Sequence, residues 1–186
     1  MSRASTNHKH HVKGTPYAFW LVLIIFFSSL AISSLIPSFQ SPDEDAHVKR
    51  AYLLAHGQVW LSHPPGKSTG GLVDQGLIAY MEKFSNLPFH GERKISSNTL
   101  YEAKQIEWSG NQLHTPTDGI SFYFPLIYAP QALGIRLGEM LGVSVHATYQ
   151  MAKIAALVAA SSKQFELNPI DRLLCCASYS IASSSI

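Results

Sequence analysis

Charge is scarce in this chain, and cysteine is nearly absent. Charged residues make up 14% of the sequence, against roughly 25% in an ordinary soluble domain, a composition biased toward membranes. The net charge of +2 is scattered; with no Lys/Arg-rich block or basic stripe, nucleic acid is excluded as a partner. Cys175 and Cys176 are adjacent, so they cannot form the spaced framework that staples a small secreted fold. Ligand spacing for a metal is also missing between residues 37 and 119. A divalent cation therefore has no specific motif here, and the cofactor is unknown. Gly66-Lys67-Ser68 matches only the end of a phosphate-binding P-loop: Leu61 stands where the first Gly is required, and Pro64-Pro65 replace the turn.

What the chain does have is an uncharged apolar run. Residues 17–36 contain no charge, and a helix of that length reaches roughly 30 Å, the thickness of a bilayer's hydrocarbon layer. Its Leu, Ile, Val and Phe side chains each favour insertion by about 0.3 to 0.6 kcal/mol, which outweighs its serines. A buried soluble helix seldom runs so long without charge. A cleaved signal peptide would need an apolar core of only about 7 to 15 residues, although Ala31-Ile32-Ser33 mimics a cleavage site. The sequence thus predicts an uncleaved transmembrane helix over 16–36, with Tyr17 and Trp20 as interfacial aromatics. Arg3, Lys9 and Lys13 precede it without an acid, so the N-terminus faces the cytoplasm. Residues 1–15 read as a cytoplasmic tail in which His8, His10 and His11 form a solvated His tract, with metal binding as the competing reading.

Directly after the run comes an acidic knot, Ser41-Pro42-Asp43-Glu44-Asp45-Ala46-His47. Ser41 fits an N-cap, Pro42 the first helical position and Glu44 the third, so a capped helix is predicted from residue 42 to about 56, ending at Gly57. The helix dipole and an Asp45/Lys49 pair account for Asp45. Capping does not require Asp43, His47 and Arg50 to fall on one face. In line, a carboxylate, an imidazole and a guanidinium suit a general base, a proton shuttle or cation ligand, and a phosphate clamp.

Beyond the knot, residues 59–119 read as a mixed polar region with turns at His63-Pro64-Pro65-Gly66, Gly70-Gly71, Pro88 and Ser109-Gly110. Segments 74–86 and 99–108 carry weak helical or strand character. Residues 37–119 together form an extracytoplasmic loop region. Pro125 and Pro130 interrupt residues 120–135, and a helix from about 130 to Gly142 would put Leu133, Leu137, Met140 and Leu141 on one side. Residues 120–142 are therefore expected to be an amphipathic juxtamembrane helix, with a buried soluble helix as the alternative. Residues 143–162 open like a second membrane helix, but Lys153 and Lys163 prevent it from crossing alone. Residues 163–186 form an irregular, serine-rich tail that looks interrupted.

Ile36-Pro37-Ser38-Phe39-Gln40-Ser41-Pro42-Asp43-Glu44-Asp45-Ala46-His47, then Arg50-Ala51-Tyr52 and Gly57, resemble the bacterial membrane-protein family called domain of unknown function 2142. Tyr123-Phe124-Pro125-Leu126-Ile127-Tyr128-Ala129-Pro130-Gln131-Ala132-Leu133-Gly134 adds to that resemblance. It covers residues 17–160 and implies a GT-C-like glycosyltransferase that takes sugar from a polyprenyl-phosphate donor for cell-surface polysaccharide. By this resemblance Asp43 or Glu44 is the base that deprotonates an acceptor hydroxyl, and Lys49 or Arg50 attends the leaving phosphate; His47 joins them as a candidate catalytic residue. The choice between the two acids stays open. Family members continue through many more spans and often carry Arg where Lys153 stands.

The expected fold class is accordingly mainly α: a membrane protein with one transmembrane helix, an extracytoplasmic loop region with short helices and an incomplete second membrane segment. The expected protein is a truncated, inactive fragment of such an enzyme in the bacterial inner membrane, with membrane lipid and a polyprenyl-phosphate sugar as partners. The competing function is a non-enzymatic single-span anchor presenting an extracytoplasmic binding module. A soluble periplasmic protein released by signal cleavage is the third.

Overall fold

A computed structural model describes residues 16–166 apart from Pro42, Gly91, Asp118 and Ser121; within α1 the side chains are described at Tyr17 and from Phe19 on, and in α6 as far as Ser162. The expectations for residues 1–15 and for the tail from residue 167, including His8, His10, His11, Cys175 and Cys176, lie outside the described residues.

The chain is mainly helical, in the order α1 (Pro16–Leu35), α2 (Glu44–Ala55), β1 (Gly70–Asp74), α3 (Gln75–Glu82), α4 (Ser97–Lys104), β2 (Gln112–Pro116), a 3₁₀ turn (Pro125–Tyr128), α5 (Ala129–Met140) and α6 (Val145–Glu166). Helix α1 is apolar all round and exposes Ile24, Phe27, Ile32 and Leu35. Among the described residues no helix is long and apolar enough to cross a membrane. The transmembrane helix expected at 16–36 is thus not found among them, although an uncharged helix does form at Pro16–Leu35. Helix α6 is longer, but Lys153 and Lys163 interrupt it.

Below α1 the chain turns sharply. Phe39 takes a positive φ of 57°, a conformation that costs a bulky residue on the order of 1 kcal/mol or more. The turn drives its ring into the core, 5.6 Å from Tyr80, 5.9 Å from Phe84 and 5.1 Å from Tyr149. Burial of a Phe side chain contributes about 1.5 to 3 kcal/mol and offsets the strain. Helix α2 then buries Arg50, Ala51, Tyr52 and Leu53 and ends at Gly57, whose positive φ of 79° and N–H bond to the Leu54 carbonyl close the helix.

The start of α2 differs from the predicted capping box. The helix begins at Glu44 rather than residue 42, Asp43 occupies the N-cap without a side-chain bond, and the buried Ser41 hydroxyl has no partner among the described residues. A second correction concerns Gly70-Gly71, read from the sequence as a turn. They open strand β1, which pairs antiparallel with β2 so that Gly70 faces Pro116 and Asp74 faces Gln112. A Cβ on Gly70 would lie 2.1 Å from the Thr115 carbonyl oxygen. Glycine is here because another backbone passes too closely for a side chain.

The turn between β1 and α3 is built by Asp74, only 4% exposed. Its Oδ1 accepts from Gly76 N, Ser109 N and Ser109 Oγ, and its Oδ2 from Gly110 N at 2.8 Å. Four donors on one carboxylate cap α3 and tie the 109–110 turn to the sheet.

Helices α5 and α6 pack closely because α5 carries Gly134 and Gly138. A Cβ at Gly134 would lie 2.6 Å from the Ala152 Cα, and one at Gly138 2.4 Å from the Thr148 hydroxyl. Two glycines four residues apart let the backbones approach in this way. The same helix leaves Leu133, Leu137, Met140 and Leu141 exposed, so the apolar side predicted for it faces outward and its small residues face the core.

Candidate functional site

The acidic knot lies where α1, α2, α6 and the 123–128 segment meet. Asp43 is exposed, and its carboxylate makes no hydrogen bond or ion pair among the described residues. One residue on, Glu44 points toward α6 and accepts a hydrogen bond from the Tyr149 hydroxyl. Lys153, one helical turn beyond, holds its Nζ 5.2 Å from the Tyr149 ring and interacts with the charge of Glu44. Carboxylate, phenol and ammonium thus share one corner. Behind them Tyr80 bridges Ser38 Oγ at 3.1 Å and His146 Nδ1 at 2.8 Å. Burial raises the Tyr80 phenol well above its usual range, so it remains a neutral hydrogen-bonding group.

His47 turns the other way from Glu44. Its Nδ1 is 2.8 Å from the Tyr128 hydroxyl and its ring 5.8 Å from Tyr123. Burial pushes the Tyr128 phenol up to about 12, with the nearby Arg50 charge opposing. Lys49 forms a 2.8 Å ion pair with Asp45, one helical turn before it.

Arg50 is the most unusual residue of the group. It is only 2% exposed and pairs with no carboxylate among the described residues. Its two terminal nitrogens donate to the carbonyls of Gln58 at 3.1 Å and Val59 at 2.6 Å, and its Nε has no partner. Burial lowers the guanidinium pKa, and the charge of Tyr128 opposes that shift; an Arg side chain nonetheless keeps its proton in proteins. Among the described residues, then, this buried cation has no counter-ion. Beside it lies a cavity of about 160 Å³ walled by Trp60, Phe122, Tyr123 and Phe124.

The structure thus separates the stripe predicted along α2. His47 and Arg50 meet the same 123–128 segment, Asp43 remains outside, and Glu44, Tyr149 and Lys153 form a second centre. No three His, Cys, Asp or Glu side chains converge as a metal-ligand set among the described residues. Sequence reasoning missed Tyr80, His146 and Tyr149, whose partners lie 42 to 105 residues away. Tyr128 stood inside a quoted motif, and its place before Pro130 on an aromatic run was the only cue.

A larger cleft of about 440 Å³ opens at the far end of α2, lined by Tyr52, His56, Trp108, Gln112, Arg136 and Glu139 among others. Burial, with Glu139 and Asp74 nearby, raises the Tyr52 phenol to about 12, against hydrogen bonds with Gln112 and the Asp74 backbone.

Residues 26–161 match the family model described as predicted membrane protein (DUF2142). No curated protein and no solved structure matches the chain.

Proposed function

The chain belongs to the DUF2142 family of predicted membrane proteins, and from that premise we propose that it is a membrane-anchored, GT-C-like glycosyltransferase that uses a polyprenyl-phosphate sugar. The observation that carries this reading is Arg50: a buried guanidinium without a carboxylate, beside an aromatic-walled cavity. Such a cation attracts an anion, and guanidinium favours phosphate because its planar donors match phosphate oxygens. Trp60, Phe122 and Phe124 give the lipid end of the donor an apolar wall.

In this proposal α1 is the element that lies against the lipid of the inner membrane. Its uncharged length and its exposed Ile24 and Phe27, 62% and 61%, support lipid contact, because large apolar patches facing water are disfavoured. The outward Leu133, Leu137 and Met140 of α5 support the same contact. The acidic knot then lies at the membrane surface.

Asp43 is the proton acceptor. It is accessible and unpaired, whereas Glu44 is held by Tyr149 and sits beside Lys153. As the acceptor hydroxyl oxygen attacks the anomeric carbon, its proton passes to the Asp43 carboxylate. The bond from that carbon to the phosphate oxygen breaks, and the electron pair leaves with the polyprenyl phosphate, whose charge Arg50 stabilises. His47, hydrogen-bonded to Tyr128, holds the aromatic segment against α2. Lys49 serves the fold through Asp45 in this account.

Asp43→Asn and Glu44→Gln, assayed separately for transfer of labelled sugar from a polyprenyl-phosphate donor in reconstituted membranes, test the assignment. Asp43→Asn is expected to lose activity by about 10² or more, and Glu44→Gln to retain most of it. Full activity in Asp43→Asn removes the catalytic role. Absence of transfer by the unaltered chain, with membrane attachment intact, favours the non-enzymatic anchor.

A further inference from the structure

We propose that the cleft at the C-terminal end of α2 binds an uncharged sugar residue. It shares no lining residue with the Arg50 cavity and does not depend on the transfer reaction. At about 440 Å³ it has the size of a small-molecule site.

Its floor is a rigid aromatic stack. Tyr52, itself only 2% exposed, has the His56 ring 4.1 Å away and Trp108 at 5.7 Å with planes tilted by 20°, so His56 and Trp108 present the accessible ring surface. Trp108 Nε1 donates to the Thr148 hydroxyl at 3.4 Å, fixing the indole against α6. Aromatic faces and edges of this kind suit the C–H surface of a pyranose ring.

The rim supplies the hydrogen bonds. Glu139 is held 3.3 Å from His56 Nε2 and 3.4 Å from Arg136, so the three side chains form a fixed row of donors and acceptors. Glu107, also in the lining, has a carboxylate with no hydrogen bond or ion pair among the described residues, and Gln112 adds an amide. Carboxylate and amide groups pair readily with neighbouring hydroxyls.

Charge narrows the class further. Asp74, Glu107 and Glu139 outnumber Arg136 even with His56 protonated, which disfavours phosphate or a uronate. Asp74 is already filled by four donors and offers nothing to a metal ion. A rim so rich in charge disfavours an apolar ligand. A neutral ring carrying several hydroxyls satisfies both limits.

The test uses the full chain in lipid nanodiscs and saturation-transfer NMR with methyl glycosides of neutral hexoses, N-acetylhexosamines and hexuronates. Neutral glycosides should give ring-proton responses, and uronates should give weaker ones. Glu107→Ala, on an exposed loop, should weaken binding by about tenfold or more, as expected on losing a hydrogen bond to a charged group. It should leave the melting temperature unchanged. No response from any neutral glycoside, a stronger response from uronates, or an unchanged affinity in Glu107→Ala overturns the proposal. Polyprenyl-phosphate binding, measured on the same samples, reports the Arg50 cavity separately, so either reading can fail without the other.

Discussion

Replacing Tyr149 with Phe removes one hydroxyl and keeps a ring that is almost fully buried against Phe39 and Tyr80. The packing of the core is therefore preserved, and the change isolates the bond to Glu44. A hydrogen bond to a charged group contributes about 1.5 to 3 kcal/mol. In a chain of this size each kcal/mol shifts the melting temperature by roughly 2 to 4 °C. Tyr149→Phe is thus expected to melt about 3 to 12 °C lower in detergent, followed by circular dichroism. Glu44→Gln keeps an acceptor oxygen and should lose less. In a double-mutant cycle the pair should show a coupling of about 1 kcal/mol or more, as residues in direct contact do. Two independent, additive losses would refute the idea that α6 holds the start of α2 through this pair. A Tyr149→Phe protein as stable as the original would do the same.

Further outcomes are expected from other parts of the molecule. Phe26→Arg places a charge midway along α1 and should cost about 2.5 to 3.5 kcal/mol of insertion; unchanged membrane fractionation counts against anchoring by α1. Gly134→Leu should separate α5 from α6, because the added atoms meet the Ala152 backbone at 2.6 Å; overpacking of this kind costs about 1 to 3 kcal/mol or more, and a wild-type melting temperature would contradict the close packing. His56 has its pKa raised, chiefly by the hydrogen bond to Glu139 and against the effect of burial. Its protonated form is therefore favoured by folding. The stabilisation is fully present below the ordinary histidine value of about 6.5 and is lost as pH rises through the higher folded value. Melting temperatures compared across that window should fall more in the unaltered protein than in Glu139→Gln, and parallel curves would show that the pair is not coupled.

The helices were legible where local chemistry sets them. Residues 17–35 are uncharged, and Gly57 and Gly142 take positive φ just beyond α2 and α5. The sheet was not legible, because β1 finds its partner about 40 residues later and Gly70-Gly71 is equally good turn chemistry. The capping box was a sound local expectation that tertiary packing overrode: Ser41 is buried beneath the turn set by Phe39, and its hydroxyl cannot serve as the cap.

The site divides along the same line. That Asp43, Glu44, His47 and Arg50 crowd one stretch could be read directly, together with the likeness to a membrane family. How they are shared out could not, since Glu44 meets Tyr149 across 105 residues and His47 meets Tyr128 across 81. The sequence reading of α5 rested on its leucines and passed over the Gly134/Gly138 pair that sets its packing.

Binding of a short-chain polyprenyl phosphate, compared with the matching polyprenol, by the full chain in nanodiscs tests the Arg50 assignment most directly. The phosphate form should bind and protect the 123–128 segment from hydrogen exchange, while the alcohol should do neither. Equal binding of the two, or binding of neither, contradicts a phosphate site at Arg50.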